Sequence, residues 1–222
     1  MATQAKELEE AKQFLRSRLS AEQAMAKGLS EALLIAANKL LKIYRDYGYT
    51  MGDKSALLNP SLVAEVEDVI RKLKDELYED VELLCESADK SDRDFIIALI
   101  NESIYGQTLK GRISKWVDDF STWVMSAALM GKTELSHIPM ETGPQHGLER
   151  LTRHTIAIAW SQEELRKHPD AVGFYSQRGS SYPCAQCDSM VGWHPISEYP
   201  LGGWHPNCMC IFIFTTDNPN EK

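Results

Sequence analysis

Apolar residues recur at three- and four-residue spacing through most of this chain, the period of a helix with one buried face. Leu29, Leu33, Ala36, Leu40, Ile43 and Tyr47 form one such stripe, and Gly48 ends it. Residues 3–18, ahead of it, are rich in Glu, Lys, Gln and Ala. Their weakly apolar pattern predicts a helix prone to fray, with Ser20 capping the next one. After the loop "GYTMGDKSALLNP", the residues Leu62, Val66, Val69, Leu73, Leu77, Val81 and Leu84 predict a long helix to about Ser87. Cys85 beside that stripe reads as a buried core cysteine. Ser91 with Asp94 predicts an N-terminal cap before "FIIALINES". Leu109, Ile113, Trp116, Phe120, Val124 and Ala127 make a further stripe, closed by Gly131. The aromatic residues of "KWVDDFSTWV" fit a core better than a platform for stacking bases. Past the loop "PMETGPQHG", Leu148, Leu151, Thr155, Ile158 and Leu165 predict a last helix, stopped by His168-Pro169.

Beyond His168 the pattern changes. "AVGFYSQRG" is short, aromatic and β-like, turn residues crowd 179–206, and "CIFIF" is an apolar β run before the polar "TTDNPNEK". Four of the five cysteines fall within 184–210, as C-x2-C followed by C-x-C. A C-x2-C loop places two sulfurs around one tetrahedral ion, and zinc takes four such ligands at about 2.0–2.3 Å. Cys208 and Cys210 lie two apart in an extended segment and face one side. His205-Pro-Asn-Cys208 predicts a turn that joins its ends. Cys184, Cys187, His205, Cys208 and Cys210 thus compete for four places on a zinc ion. Residues 170–216 hold few apolar groups by this reading, so that binding energy serves as folding energy.

The expected fold is therefore mainly α: a helical region over 1–168, a small β-containing zinc-stapled module over 169–216, and a polar tail over 217–222. Paired disulfides are the first alternative, but "MATQAKELEE" has no apolar secretory region, which points to a cytosolic origin. A redox C-x2-C site lacks its βαβ surroundings. "PCAQC" matches half of the zinc-deaminase signature, but the H-x-E half is absent; the nearest sequences are "HTI" at His154 and "HPD" at His168. A zinc-dependent enzyme acting on nucleic acid or nucleotide, nuclease- or deaminase-like, would need an open metal position and a nearby carboxylate. Asp188 and Glu198 are the only acids between Cys184 and Cys210. His137, His146, His154 and His168 are scattered and read as surface or capping residues, so no catalytic residue is assigned.

Charge narrows the partners. The net charge is −8 over 222 residues, with 43% apolar and 25% charged residues, as in an ordinary globular protein. Residues 53–90 hold 11 acidic and 5 basic side chains, which fits a solvated helix face and repels phosphate. Residues 143–216 carry 5 basic and 6 acidic side chains, a poor match to a zinc ribbon that binds nucleic acid. No apolar run reaches the ~18 residues of a membrane span.

"YPCAQCDSMVGWHP…WHPNCMC" resembles the C-terminal signature of the phage Mu F-like minor head proteins, also called head morphogenesis proteins. The matching positions are Cys184, Cys187, Gly192, His205, Pro206, Cys208 and Cys210. Upstream, "LKGRISKWVDDFSTWVMSAALMGKTELSHI" and "GLERLTRHTIAIAW" resemble the two helices that precede the module in that family, so the likeness covers roughly 105–216. The chain departs from the family at Arg153-His154-Thr155, where R-T-E is common, and at Met209, where the closing motif carries Arg. The resemblance implies a structural, non-enzymatic component of a virion, made in the bacterial host cytoplasm. Its implied partners are portal or capsid proteins and further copies of itself, with no membrane association.

Overall fold

The structure is a computed structural model that describes residues 2–86, 103–104, 107–138, 144–205 and 207–219. Most of it is helix: α1 (Ala2–Asp46), α2 (Pro60–Glu86), α3 (Leu109–Leu129), α4 (Pro144–Lys167) and the single turn α5 (Ala185–Ser189). The strands are β1 (Ser103–Ile104), β2 (Gln107–Thr108), β3 (Gly173–Gln177), β4 (Gly192–Pro195) and β5 (Ile211–Thr215). The mainly α architecture with a small C-terminal sheet is thus as the sequence predicts. Among the described residues no helix is long and apolar enough to cross a membrane. The predicted cap at Ser91–Asp94 and the "FIIALINES" segment lie outside the described residues, as do the surroundings of the Cys85 side chain.

One prediction fails at the start. The chain does not break at Ser20; α1 runs without interruption for 45 residues, and Ser20 is an exposed mid-helix residue. Ala11, Leu15, Arg18, Glu22, Met25, Leu29, Ala36, Leu40 and Ile43 are all buried, at steps of three, four or seven. The stripe is continuous once Arg18 and Glu22 are counted in it. Two charged residues at apolar positions hid the continuity. The helix closes as expected: the N–H groups of Gly48 and Tyr49 return to the carbonyls of Arg45 and Tyr44, each at 2.9 Å.

The other long helices follow their patterns. Asn59 caps α2, accepting from Ser61 N–H at 2.9 Å, with Pro60 in the first helical position. Leu62, Val69, Leu73, Leu77 and Val81 are buried, while Glu65, Glu67, Asp75, Glu76 and Glu79 face solvent. Thr108 caps α3, accepting from Gly111 N–H at 3.0 Å. On α3 the stripe position taken as Trp116 shifts by one: Val117 is fully buried and Trp116 half-buried.

Two compact units share these elements. Among the described residues, one takes those up to Ala24, 84–86 and those from Thr152 onward. The other takes Met25–Leu83 and those from Ser103 to Leu151. The sheet belongs to the first. Its order is β4-β3-β5, antiparallel throughout. Phe174 on β3 stands opposite His194 on one side and Phe214 on the other. Alternation along the strands gives the sheet two faces.

One face is richer than the sequence suggested. Phe174, fully buried, meets Phe212 edge-on at 5.5 Å and Tyr199 at 5.3 Å. Ile196, Trp204 and Phe214 pack against the same cluster, together with Cys187, Cys208 and Cys210. The expectation of few apolar groups in 170–216 is corrected: the module has an aromatic core of its own, and the sulfurs are part of it. On the other face, Ile211 and Ile213 pack against Leu8, Ala11, Leu15 and Leu19 of α1. The segment that looked prone to fray is the cover of the sheet.

Candidate metal centre

Two short loops carry the predicted donors. The first is shaped by α5. Cys184 precedes the turn and Cys187 sits within it, and Asp188 N–H binds the Cys184 carbonyl at 2.9 Å. Arg178, just past β3, holds this loop from outside. Its guanidinium donates to the Tyr182 carbonyl, to the Cys184 carbonyl at 3.4 Å and to the Asp188 carboxylate.

The second loop is the predicted turn. Cys208 N–H binds the His205 carbonyl at 3.0 Å, and Asn207 adopts φ 65°. Asn tolerates this left-handed conformation better than most side chains do. Cys208 and Cys210 are buried while Met209 between them is exposed, as expected of an extended run. Gly203 packs over Cys208 at φ +93°, where a Cβ would stand 2.5 Å from the Cys208 Cβ. Gly179 likewise lies directly under the Met209 carbonyl, with no room for a Cβ. Gln186 ties the loops together, donating to the Trp204 carbonyl at 2.6 Å.

The structure brings all five predicted donors into two overlapping groups. Cys184, Cys187 and His205 form one, and Cys187, Cys208 and Cys210 the other; within each, the ligand atoms lie within 4.8 Å of one another. Cys187 Sγ is 3.0 Å from His205 Nε2 and 3.8 Å from Cys208 Sγ, and Cys184 Sγ is 3.3 Å from His205 Nε2. Two thiolates on a tetrahedral ion at ~2.3 Å stand about 3.8 Å apart, and a thiolate and an imidazole about 3.6 Å. The Cys187–Cys208 separation equals that spacing and the two sulfur–imidazole contacts are shorter, so the donor set could hold a metal ion. Cys184, Cys187, Cys208 and Cys210 are free thiols, so the disulfide alternative is not what the fold adopts.

Ionisation of the sulfurs points the same way. The Cys208 thiol is held down to about 5, chiefly by its hydrogen bond with the Cys210 side chain. Cys210 is pushed up by that same contact, and burial pushes Cys187 up to about 11. Negative charge is favoured on Cys208 over Cys187 and Cys210, and the Cys184 thiol is lowered by its hydrogen bonds with Cys187. A cation among them would let the others ionise, as metal-bound thiols do.

His194 and the acids between Cys184 and Cys210 are engaged elsewhere. His194 contacts Glu198 at 3.2 Å and the Met190 carbonyl at 3.0 Å, and stacks on Phe174. Of the module's acids, Asp188 is paired with Arg178 and Glu198 with His194. His168 stacks on Phe214 at 4.5 Å, and His154 is half-buried beside Gly202 rather than at the surface. A crevice of about 120 Å³ opens over the sulfurs, lined in part by Cys184, Cys187, His205 and Cys210.

The sequence reading missed an outer layer from α1. Arg18, 2% exposed, donates through Nη to the Cys208 carbonyl. Its Nε lies 3.2 Å from the buried Glu22 carboxylate. Burial raises the Glu22 carboxyl, and the charges of Arg18 and Arg153 oppose that shift. The available signal was a pair of charged residues in phase with the apolar stripe. Comparison of the chain with family models, curated proteins and solved structures returned no match.

Proposed function

We propose that the cluster holds one structural zinc ion. On this reading the chain is a minor head, or head morphogenesis, protein of a tailed phage or prophage, associating with portal or capsid proteins. The observation that carries the proposal is the convergence of the C-x2-C and H-P-N-C-M-C donors in two groups of three that share Cys187. Zinc suits a mixed thiolate and imidazole set, and a closed set of four makes the site structural. The engagement of Asp188 and Glu198 supports the structural role, because a hydrolytic zinc needs a free carboxylate beside its water. The viral assignment rests on the resemblance of the closing motif, with the long helices as surfaces for protein contacts.

Two measurements test it. Elemental analysis with X-ray absorption should find one zinc per chain with four sulfur or nitrogen donors. Three protein donors and a water would favour a zinc-dependent enzyme acting on nucleic acid or nucleotide. Purified proheads and virions should contain the chain in few copies, and its absence from both would remove the viral reading.

A further inference from the structure

Arg18 lies 190 residues from the carbonyl it touches. A charged side chain is costly to bury unless it is paired and hydrogen-bonded, so its partners show what it is there to hold. They are the Glu22 carboxylate, one turn along α1, and the main-chain oxygen of Cys208. Cys208 is at the centre of the second loop. Its N–H closes the turn from His205, its Sγ stands 3.8 Å from Cys187 Sγ, and the same Sγ accepts from Cys210 N–H at 3.4 Å. Its carbonyl lies outside the ladder of β5, which begins at Ile211. A guanidinium on that oxygen fixes the peptide that carries the sulfur.

We infer that Arg18 is an outer-sphere positioning residue of the metal centre, held in place by Glu22, so that the N-terminal helix is part of the metal site. The inference rests on the zinc reading above. Two physical effects favour it. Outer groups that orient a ligand residue set the geometry its donor atom presents to the ion. In addition, three or four thiolates around a divalent ion leave an excess of negative charge, which a buried guanidinium nearby offsets. An ion pair that only joined α1 to itself would need Glu22 and not the Cys208 carbonyl.

The experiment uses the full chain and four variants: Arg18→Met, Arg18→Lys, Glu22→Gln, and Cys187→Ser as the ligand control. Zinc affinity is measured by competition with a chelating dye, and the site is also loaded with cobalt(II) for its absorption spectrum. Arg18→Met should lose about 10–100-fold in zinc affinity and shift the cobalt bands. Arg18→Lys should fall between it and the parent, and Glu22→Gln should lose less in the same direction. Parental affinity and an unchanged cobalt spectrum in Arg18→Met would overturn the inference, even if the variant melts at a lower temperature. If Arg18→Met does not fold, Glu22→Gln decides by the same two readouts. A parent chain that takes up neither zinc nor cobalt overturns the zinc reading itself, and the role of Arg18 with it. That failure is distinct from one in which the parent binds metal and the variants bind equally well.

Discussion

Cys187 is the one donor common to both groups of ligand atoms, and its Sγ reaches both His205 and Cys208. Only one set of four among the five omits it, Cys184, His205, Cys208 and Cys210, and the structure does not gather those four within 4.8 Å of one another. Cys187→Ser should therefore abolish stoichiometric zinc, read as metal content of the purified protein; a full complement of zinc in that variant would mean that the loops bind independently. Gly203 sets a second condition. At φ +93° an L side chain is strained by about 1–2 kcal/mol, and here a Cβ would also collide with Cys208. Gly203→Ala should lower stability by at least about 2 kcal/mol, measured as a shift in denaturation midpoint on the zinc-loaded chain. A shift near zero would mean that the Cys208 loop is free to move away. That the five candidate donors come together was legible from the sequence, because metal chemistry restricts both residue type and spacing. The residues that shape their surroundings were not: Gly203, Gly179 and Arg178 carry no periodic signal, and their roles exist only once the two loops meet.

Elements were legible where one face is apolar over several turns. The stripes of α2 and α3 are local facts of sequence, and the fold keeps them apart from the one-residue shift at Trp116. Helix α1 was misread because a buried charge looks like a surface charge until its partner is known, and the partners of Arg18 lie on α1 itself and near the C-terminus. Strand β4 and helix α5 were missed for a different reason. They are four and five residues long, too short for periodicity to distinguish them from turns. The aromatic cluster was missed because Phe174, Tyr199, Trp204 and Phe212 come from separate elements, and only strand pairing collects them. The cover that α1 gives the sheet can be tested directly. Leu15 is nearly buried among Ala11 and Ile211, so Leu15→Ala should cost about 2–3 kcal/mol of stability. A cost under about 0.5 kcal/mol would indicate that the start of α1 does not bear on β5.

At the scale of the whole molecule, the zinc proposal raises the question of what would hold the C-terminal module once the ion were taken away. A structural zinc is worth about 10–16 kcal/mol to a small finger peptide that has no other support, and such peptides unfold on chelation. This module has two further supports. Phe174 and Phe212 bury one face of β3 and β5, and α1 packs on Ile211 from the other side. Fully burying one aromatic or branched side chain contributes about 1.5–3 kcal/mol, so several together compete with the loss of the ion. The donors, by contrast, sit on loops whose own backbone bonding is sparse: one turn of α5 and the single His205–Cys208 turn. Without a cation the sulfurs are left crowded, with the Cys208 thiol held down by its hydrogen bond with Cys210 and the Cys187 thiol pushed up by burial. Chelation should therefore act unevenly. Hydrogen exchange should accelerate most over residues 184–190 and 203–210, while the amides of β3 and β5 stay protected and the melting temperature falls without loss of the cooperative transition. Collapse of protection across 173–215 at once would show that the ion alone sustains the module, and that the aromatic cluster and the cover by α1 contribute little without it.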